Sequence, residues 1–340
     1  MINYNKTNFF IMRLLRKIKQ QLIILLDIPN QILIFLIWKS KRFQLQESII
    51  IFSETRGGST WLMSILSNIP NTCINWEPLH KKRGVSPKKY AFGDRPLISQ
   101  YTKNKNYYHL FKTILSFKSS SIWTRKHLTI SSIFSSEIVI TKFVRANLLA
   151  PYLLETFNFK KKPIFLIRHP IDICMSQNKT NFSESFQNRF KEKNIPNDIN
   201  KTRFEKHFAF LNKLDTDLEI RIALWCINNI STLNNSDIFS KMFVVYYYDL
   251  ILNPKSQLEK IYKNLGIEEV LYKNFNFIDF KKPSSTARAN QSYDDANYQL
   301  NKNIKILSPL QKNNIQKIFD YFNFKLFDAY SADPKKQYLY

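Results

Sequence analysis

Short apolar runs rich in β-branched residues recur along this 340-residue chain, and a helical pattern follows most of them. A strand buried in a parallel sheet has such a continuous apolar run, whereas a half-exposed strand alternates apolar and polar residues. Strands that alternate with helices predict an α/β fold, with a central parallel sheet and helices on both faces. The candidate strands are Ile49 to Phe52, Thr72 to Trp76, Glu137 to Val144, Pro163 to Ile167 and Lys241 to Tyr248.

Apolar residues at three- and four-residue steps predict the helices between these strands. Because no repeat or linker divides the chain, we expect one domain over residues 46–340 after an apolar and basic appendage over residues 1–45. Residues 79–136 show no sustained period, so we expect an insertion or lid region with short helices there, and residues 181–205 are polar and lid-like. The predicted helices are Trp61 to Leu66, Ala146 to Thr156, Ile171 to Lys179, Phe208 to Leu233 and residues 255–265.

The formal net charge of +25 comes from 51 Lys and Arg against 26 Asp and Glu. Either this excess reflects a lysine-rich composition that solvates the surface, or part of it meets an anionic partner such as a phosphorylated cofactor, an anionic lipid or an acidic glycan. A nucleic-acid binder usually clusters its cations on one face. Since no run of five basic residues occurs, we expect no nucleic-acid partner.

The segment over residues 11–42 has a basic, apolar, basic layout that suggests contact with a membrane. Asp27 and Pro29 interrupt its apolar stretch, and a carboxylate at the centre of a bilayer is costly, so we do not expect a spanning helix. We expect two short apolar helices, Ile11 to Ile28 and Gln31 to Trp38. They either lie in a lipid interface or pack on the domain.

The three cysteines, Cys73, Cys174 and Cys226, are odd in number and far apart. They encode neither a disulfide framework nor a zinc knuckle, and a reducing compartment is the simpler inference. No clustered His, Cys or carboxylate spacing suggests a metal, so we expect none.

Two of the five glycines in the chain, Gly57 and Gly58, lie between the first strand and its helix. A strand that turns through such a loop brings backbone N–H groups and a helix N-terminus to one small volume, which favours an anion. Arg56, Ser59 and Thr60 add a planar cation and two hydroxyl donors. The alternative is a tight helix cap without a ligand. The loop lacks the first glycine and the lysine that a P-loop NTPase requires.

A second arrangement follows the fourth strand. Arg168 comes at its end, Pro170 is suited to the first position of the next helix, and Ser176 lies eight residues after the arginine. Alone this pattern is weak. Both arginines, however, follow strands whose carboxyl ends border the crevice where open α/β sheets bind ligands. The two loops together therefore predict a site for a ligand with two phosphate-like groups.

These motifs resemble those of the PAPS-dependent sulfotransferases, in particular the carbohydrate and membrane-associated branch. Residues Thr55 to Leu62 resemble the 5′-phosphosulfate loop, and Ile167 to Ser176 resemble the 3′-phosphate motif. Gly57 departs from the family, which commonly has a serine there. The resemblance extends over residues 48–290. Its further matches are Trp76-Glu77-Pro78-Leu79, Lys142-x-x-Arg145, Tyr248-Asp249-Leu250 with Asn253-Pro254, and, more weakly, Lys282 to Thr286.

The resemblance implies the P-loop-like sulfotransferase fold and sulfuryl transfer from 3′-phosphoadenylyl sulfate (PAPS) to a hydroxyl or amine. The acceptor would be a glycan, a lipid or a small molecule, with a carbohydrate or glycolipid expected. Glu77 would be the base, with His80 and His109 as rivals, and Arg56 would stabilise the leaving oxygen. Lys142 and Arg145 would support them. The implied donor-binding residues are Arg56, Gly57, Gly58, Ser59, Thr60, Trp61, Arg168, Ser176 and Ser285.

The tryptophans admit an interpretation other than ligand binding. Trp61, Trp76 and Trp225 have the spacing of residues that pack in the hydrophobic core. Two other functions also remain open at this stage: a P-loop-like kinase, and a non-enzymatic, membrane-associated anion-binding protein. The family is cytoplasmic in bacteria and lumenal in the eukaryotic Golgi. We expect a cytoplasmic protein, peripheral at the membrane, or a Golgi membrane protein if the source is eukaryotic.

Overall fold

The computed structural model describes residues 28–86, 95–178, 202–270 and 295–339. Its centre is a sheet of five parallel strands in the order β2-β3-β1-β4-β5. The α/β architecture predicted from the apolar runs is confirmed. The strands are β1 Ile49–Ser53, β2 Thr72–Trp76, β3 Ile138–Phe143, β4 Ile164–Ile167 and β5 Phe243–Tyr246.

Helices surround the sheet, and short 3₁₀ helices span Leu45–Glu47, Asn147–Leu149 and Lys336–Leu339. The α-helices are α1 over residues 28–40, α2 Ser59–Leu66, α3 Lys105–Leu115, α4 Ile130–Ser135, α5 Ala150–Thr156, α6 Pro170–Asn178, α7 Thr202–Glu205, α8 Phe208–Leu211, α9 Asp217–Leu233, α10 Ser236–Ser240, α11 Tyr247–Leu252, α12 Pro254–Leu265, α13 Ala296–Lys305 and α14 Pro309–Tyr321.

The central strand β1 is buried along its whole length and contributes to the core on both faces. Ile50 and Phe52 belong to a cluster that includes residues of α3, α5, α6 and α9. Ile49 and Ile51 belong to the opposite cluster, with residues of α2 and α12. Because successive side chains of a strand point to opposite faces, one continuous apolar run serves two helical layers.

The strand order also creates a crevice. The chain leaves β1 toward β2 on one side of the sheet and leaves β4 toward β5 on the other, although β1 and β4 are neighbours. The connections after these two strands therefore diverge, which leaves an opening at their carboxyl ends. Open α/β sheets bind ligands at such a point.

The single long helix predicted over Phe208 to Leu233 is wrong, because the chain forms α8 and α9 with a break between them. Thr216 Oγ1 accepts a hydrogen bond from the Glu219 N–H at 3.2 Å, and Glu219 Oε2 accepts one from the Thr216 N–H at 3.1 Å. This capping box starts α9 at Asp217. The last predicted strand is likewise too long, since α11 already begins at Tyr247.

Residues 79–136 contain short helices, as predicted, in α3 and α4, but they are not a lid throughout. Phe111, Ile114 and Leu115 of α3 are fully buried in the core cluster on one face of the sheet. In the second predicted insertion, residues 181–201 lie outside the described residues. The remaining residues form α7, in which Phe204 is buried.

At the N-terminal end, the helix predicted over Gln31 to Trp38 is confirmed as part of α1, while the one predicted over Ile11 to Ile28 lies almost wholly outside the described residues. One side of α1 packs on the sheet, where Ile34 joins a cluster with Cys73 and Val139. Trp38 Nε1 donates to the Phe117 carbonyl at 2.8 Å. Within the ranges described, no helix combines the length and the apolar character needed to cross a bilayer.

Candidate active site at the carboxyl ends of the strands

The loop after β1 forms the first wall of the crevice. Arg56 has a φ of 72° and Gly58 a φ of 96°, so the backbone reverses direction before α2 begins at Ser59. The Gly57 N–H donates to the Glu54 carbonyl at 2.8 Å, and the Trp61 N–H donates to the Gly58 carbonyl at 3.0 Å. These two predicted donors are thus committed to the fold. The first-turn N–H groups of α2, at Ser59 and Thr60, have no partner within the helix and are available to an anion.

Both glycines of this loop are required by space. A Cβ at Gly57 would lie 2.4 Å from Ser53 Oγ and 2.8 Å from the Glu54 carbonyl oxygen. A Cβ at Gly58 would lie 2.6 Å from the Tyr247 ring, and its positive φ already disfavours a side chain. The departure from the family serine at Gly57 therefore has a local cause, because the loop is folded tightly over Ser53 and Glu54.

Arg168 and Ser176 form the second wall of the crevice, next to the loop after β1. Arg168 follows β4, and its Nη1 donates to the Arg56 carbonyl at 3.2 Å. Arg56 Nε donates to Ser176 Oγ at 2.9 Å, although 120 residues separate them in sequence. The two motifs that the sequence predicts to share one ligand are thus in direct contact. Pro170 is the first residue of α6, as predicted.

Neighbouring residues fix the orientation of Arg168. Its Nε lies 3.4 Å from Asp172 Oδ2, and the other oxygen of that buried carboxylate accepts from Asn303 Nδ2 at 2.7 Å. On the other side, the guanidinium carbon lies 4.3 Å from the centre of the Tyr247 ring. The guanidinium is therefore held between a carboxylate and an aromatic face, which restricts its rotamers before any ligand arrives.

His169 anchors this loop to the C-terminal part of the chain. The Ile171 N–H donates to His169 Nδ1 at 3.1 Å, so the ring proton is on Nε2, which donates to the Asp328 carbonyl at 3.0 Å. Burial lowers the pKa of His169 and keeps the ring neutral. It therefore supports the loop structurally instead of contributing charge to the site.

Glu77 lies at the end of β2 and is held by two cations. Its backbone has a φ of 40°, and its N–H donates to the Lys142 carbonyl at 3.1 Å. The carboxylate oxygens lie 3.1 Å from Lys142 Nζ and 3.6 Å from Arg145 Nη1. The predicted base and its two predicted supports therefore form one cluster.

Lys142 connects this cluster to the start of α2, after the loop that follows β1, because its Nζ also donates to Thr60 Oγ1 at 2.9 Å. The side chain is only 1% exposed, and its Nζ lies 3.4 Å from the centre of the Trp76 ring. Burial lowers the pKa of Lys142 to about 8, against the opposing attraction of Glu77. An ammonium group held between a carboxylate and a helix N-terminus is well placed to move toward an incoming anion.

The rival bases are less well placed. His80 Nδ1 accepts from the backbone N–H groups of Lys82 and Arg83 at 3.3 Å, which commits it to the turn after Glu77. His109 is exposed on α3, next to Tyr108. The Tyr108 ring stacks on Phe157, which shares a cleft with residues 43–46 at the amino end of β1. The structure thus does not bring His109 to the crevice.

The remaining predicted donor-binding residues have different positions. Trp61 is buried in the core cluster with Leu62 and Ile65, and Trp76 and Trp225 are buried as well, so the core interpretation of all three is confirmed. Ser285 lies outside the described residues.

Two residues of the candidate site were not predicted from the sequence. One is Tyr247, which contacts both Gly58 and Arg168. The other is Glu54, whose carboxylate accepts a hydrogen bond from the Thr55 N–H at 2.8 Å and pairs with Arg95. A polar pair directly after a buried strand could have pointed to Glu54. Nothing in the local sequence distinguishes Tyr247 from the tyrosines beside it. Among the described residues, no group of three His, Cys, Asp or Glu could hold a metal ion.

Comparison with solved structures finds similar sulfotransferases. The sulfotransferase domain from the curacin biosynthetic pathway is 16% identical over 82% of this chain and 98% of its own, with a TM-score of 0.37. The domain from the Synechococcus PCC 7002 olefin synthase is 17% identical over 82% and 95%, with a TM-score of 0.39. Mouse sulfotransferase SULT7A1, complexed with PAP, is 14% identical over 82% and 85%, with a TM-score of 0.40.

No curated protein matches the chain. The family model described as "Sulfotransferase family" matches residues 48–270, which include β1 to β5 and both motifs of the crevice. This match covers more than half of the chain, and the chain belongs to the sulfotransferase family.

Proposed function

We propose that the enzyme transfers a sulfuryl group from PAPS to a hydroxyl or amine of a carbohydrate or glycolipid acceptor. The observation that carries the proposal is the contact of Arg56 with both Arg168 and Ser176, beside the N-terminus of α2. Two guanidinium groups and a helix N-terminus in one crevice suit a ligand that carries two separated anionic groups, as PAPS does.

In the proposed complex, Arg56 and the first-turn amides of α2 bind the phosphosulfate, and Arg168 and Ser176 bind the 3′-phosphate. The side chains of Arg56 and Ser176 bond to each other in this structure, so donor binding exchanges that bond for bonds to the nucleotide. Asp172 and Tyr247 already hold the Arg168 guanidinium, which reduces the ordering that binding requires.

Transfer then proceeds in line. The bond between sulfur and the bridging oxygen of the phosphosulfate breaks, while a bond forms between sulfur and the acceptor oxygen or nitrogen. Glu77 takes the proton of the acceptor, and the nucleotide leaves as the 3′,5′-bisphosphate with the electron pair on its phosphate oxygen. As in phosphoryl transfer, the protein supplies position and charge stabilisation.

In this step Lys142 links the removal of the acceptor's proton to the departure of the nucleotide. Its ammonium lies between Thr60 and Glu77, where it contacts the hydroxyl of one and the carboxylate of the other. A sulfonate at the α2 N-terminus would draw the ammonium toward itself and weaken its hold on Glu77. Donor binding thereby frees the Glu77 carboxylate to accept the acceptor's proton, and the cation moves to where charge develops.

The surface beside Glu77 supports a sugar-like acceptor. Trp123 is partly exposed there, with the Arg83 guanidinium 5.0 Å and Lys126 Nζ 4.2 Å from its ring centre. An aromatic face between cations can pack against a ring and attract negative charge on it. An acidic carbohydrate combines these two properties.

The test has two arms. Isothermal titration with the 3′,5′-bisphosphate nucleotide should show binding that Arg56→Ala and Arg168→Ala each weaken about tenfold to hundredfold, because each removes charged hydrogen bonds. Transfer of radiolabelled sulfate from PAPS to the glycans, lipids and small metabolites of the producing cell should then identify the acceptor.

Glu77→Gln separates an enzyme from a protein that only binds anions. It should keep nucleotide affinity and lose transfer by at least about a hundredfold, as expected for a general base. Unchanged affinity in both arginine variants would refute the site, and full transfer by Glu77→Gln would refute the assigned base.

A further inference from the structure

The outer side of α1 is an apolar surface exposed to solvent. Ile28, Ile32, Phe35 and Leu36 lie at helical spacing, and Leu33 borders them. Ile32 and Leu36 are 55% and 56% exposed, whereas Ile34 on the opposite side is 3% exposed. A surface helix normally presents charged or polar residues to water, so this exposed apolar side needs a partner.

The apolar surface continues onto α4. Lys41 Nζ donates to the carbonyl oxygens of Phe134 and Ser136, which joins the end of α1 to the end of α4. Beneath them, Ile133 and Ile34 belong to the same core cluster. The Phe134 side chain is 72% exposed beside this junction. We call the outer sides of α1 and α4 together the α1–α4 surface.

Cations border this surface. Lys39, Lys41 and Arg42 lie at the end of α1, and the guanidinium of the buried Arg125 lies 5.0 Å from the Phe35 ring centre. Residues 28–46 and 130–136 contain no Asp or Glu, and the carboxylates that directly flank these ranges are Asp27, Glu47 and the exposed Glu137. The combination of exposed large apolar side chains with a mainly cationic border is complementary to anionic headgroups above an acyl layer.

The α1–α4 surface also adjoins the edge of the sheet that carries Glu77. Arg125, which contacts Phe35, is followed by Lys126, whose Nζ lies 4.0 Å from the Trp76 ring centre. The Trp76 N–H donates to the Thr124 carbonyl at 3.0 Å. A few residues thus connect the surface to the strand end at Glu77, so a bilayer docked on the surface would lie near the acceptor side of the crevice.

We infer that the α1–α4 surface docks on the face of a bilayer that contains anionic phospholipid, with α1 in the interface plane and its apolar side inserted. A bilayer fits better than a protein partner because the apolar side chains lie along one helix side and their border is mainly cationic. The inference does not depend on the proposed reaction, since binding to vesicles needs neither donor nor acceptor.

The experiment is co-sedimentation of the full 340-residue chain with sucrose-loaded vesicles. One set of vesicles contains phosphatidylcholine alone, and the other also contains about 30 mol% of the anionic lipid phosphatidylglycerol. We expect binding to the anionic vesicles, weakened by salt. The double variant Ile32→Asp/Leu36→Asp should lose at least about tenfold in affinity, because both side chains would enter the acyl boundary.

The matched control is Ile306→Asp/Leu310→Asp, which changes two apolar side chains at the junction of α13 and α14 that are exposed at least as much as Ile32 and Leu36. It should bind vesicles as the unmodified chain does, and thermal unfolding should show that both double variants remain folded. Lys39→Glu/Arg42→Glu should reduce binding to the anionic vesicles.

Three results would overturn the inference. The first is absence of binding by the full chain to either kind of vesicle. The second is equal affinity of the two double variants. The third is a dimer in light scattering that Ile32→Asp/Leu36→Asp converts to a monomer, which would make a second copy the partner.

Discussion

At the scale of single residues, the atoms around Gly57 leave no room for a larger side chain at that position. Gly57→Ser would introduce the residue that is common in the family, yet we expect it to weaken binding of the 3′,5′-bisphosphate nucleotide several-fold and to lower the unfolding temperature. The reason is that its Cβ would lie 2.8 Å from the Glu54 carbonyl oxygen, so the loop must shift. Calorimetric titration and thermal unfolding measure the two effects.

A control separates the two close contacts at this glycine. In Ser53→Ala/Gly57→Ser the nearer contact, at 2.4 Å to Ser53 Oγ, is removed, so part of the affinity should return. Tighter nucleotide binding by Gly57→Ser alone would show that the loop opens without cost.

Tyr247 is a positioning residue for the predicted 3′-phosphate site. Tyr247→Ala should weaken binding of the bisphosphate nucleotide about tenfold, because it removes the aromatic face that holds the Arg168 guanidinium. Tyr247→Phe keeps the ring and should bind nearly as the unmodified enzyme does. Tyr246→Ala is the matched control, since the Tyr246 ring lies against Lys336 instead. If both alanine variants lose affinity equally, the loss reflects stability alone.

The pKa of Lys142 predicts a pH dependence. At pH values below about 8 its ammonium is charged, and above about 8 it loses the proton and with it the link between Thr60 and Glu77. The value of kcat/KM for PAPS, which reports groups of the free enzyme, should therefore fall as pH rises through about 8. Lys142→Arg remains charged and should move this decline to higher pH.

The exposed Lys112→Arg, outside the crevice, should leave the pH profile of kcat/KM unchanged. A decline near pH 8 that persists in Lys142→Arg would assign it to another group.

At the scale of elements, the start of α9 depends on a cap that local polar residues provide. Thr216→Ala removes the side-chain acceptor of the Glu219 N–H and should lower the free energy of unfolding by about 1 kcal/mol. Thr216→Ser keeps an oxygen at this position and should retain most of that free energy. Urea unfolding followed by circular dichroism measures both, and an unchanged midpoint in the alanine variant would show that packing alone begins the helix.

The same elements show why some bounds were predictable and others were not. The run Ile49 to Phe52 predicted β1 because a strand buried on both faces has no other pattern. The break between α8 and α9 was missed because the apolar spacing continues through Leu211 and Leu214, while the cap is polar and local. The burial of α3 was missed because its apolar stripe is short and lies between polar and basic stretches, and the strands on which it packs are distant in sequence.

At the scale of the whole molecule, the burial of the cysteines predicts that their thiols do not react while the protein is folded. Cys73, Cys174 and Cys226 are all free and buried, and burial raises the pKa of each thiol, that of Cys73 to about 12. We expect no reaction with a thiol reagent at pH 8 in the native state and reaction of all three thiols in denaturant. Rapid native labelling of one thiol would show that its region opens.

The sequence by itself determined the parallel α/β class, the position of the strands, and the loops after the first and fourth strands in which an anion site is predicted. These features are local, because strand burial, turns and helix starts are written in neighbouring residues. The tertiary structure decided which distant groups meet: Arg56 with Ser176, Lys142 with both Thr60 and Glu77, and Tyr247 with Arg168. It also decided which side of α1 remains exposed. Such contacts depend on strand order and crossover, which bring together residues that no sequence spacing relates.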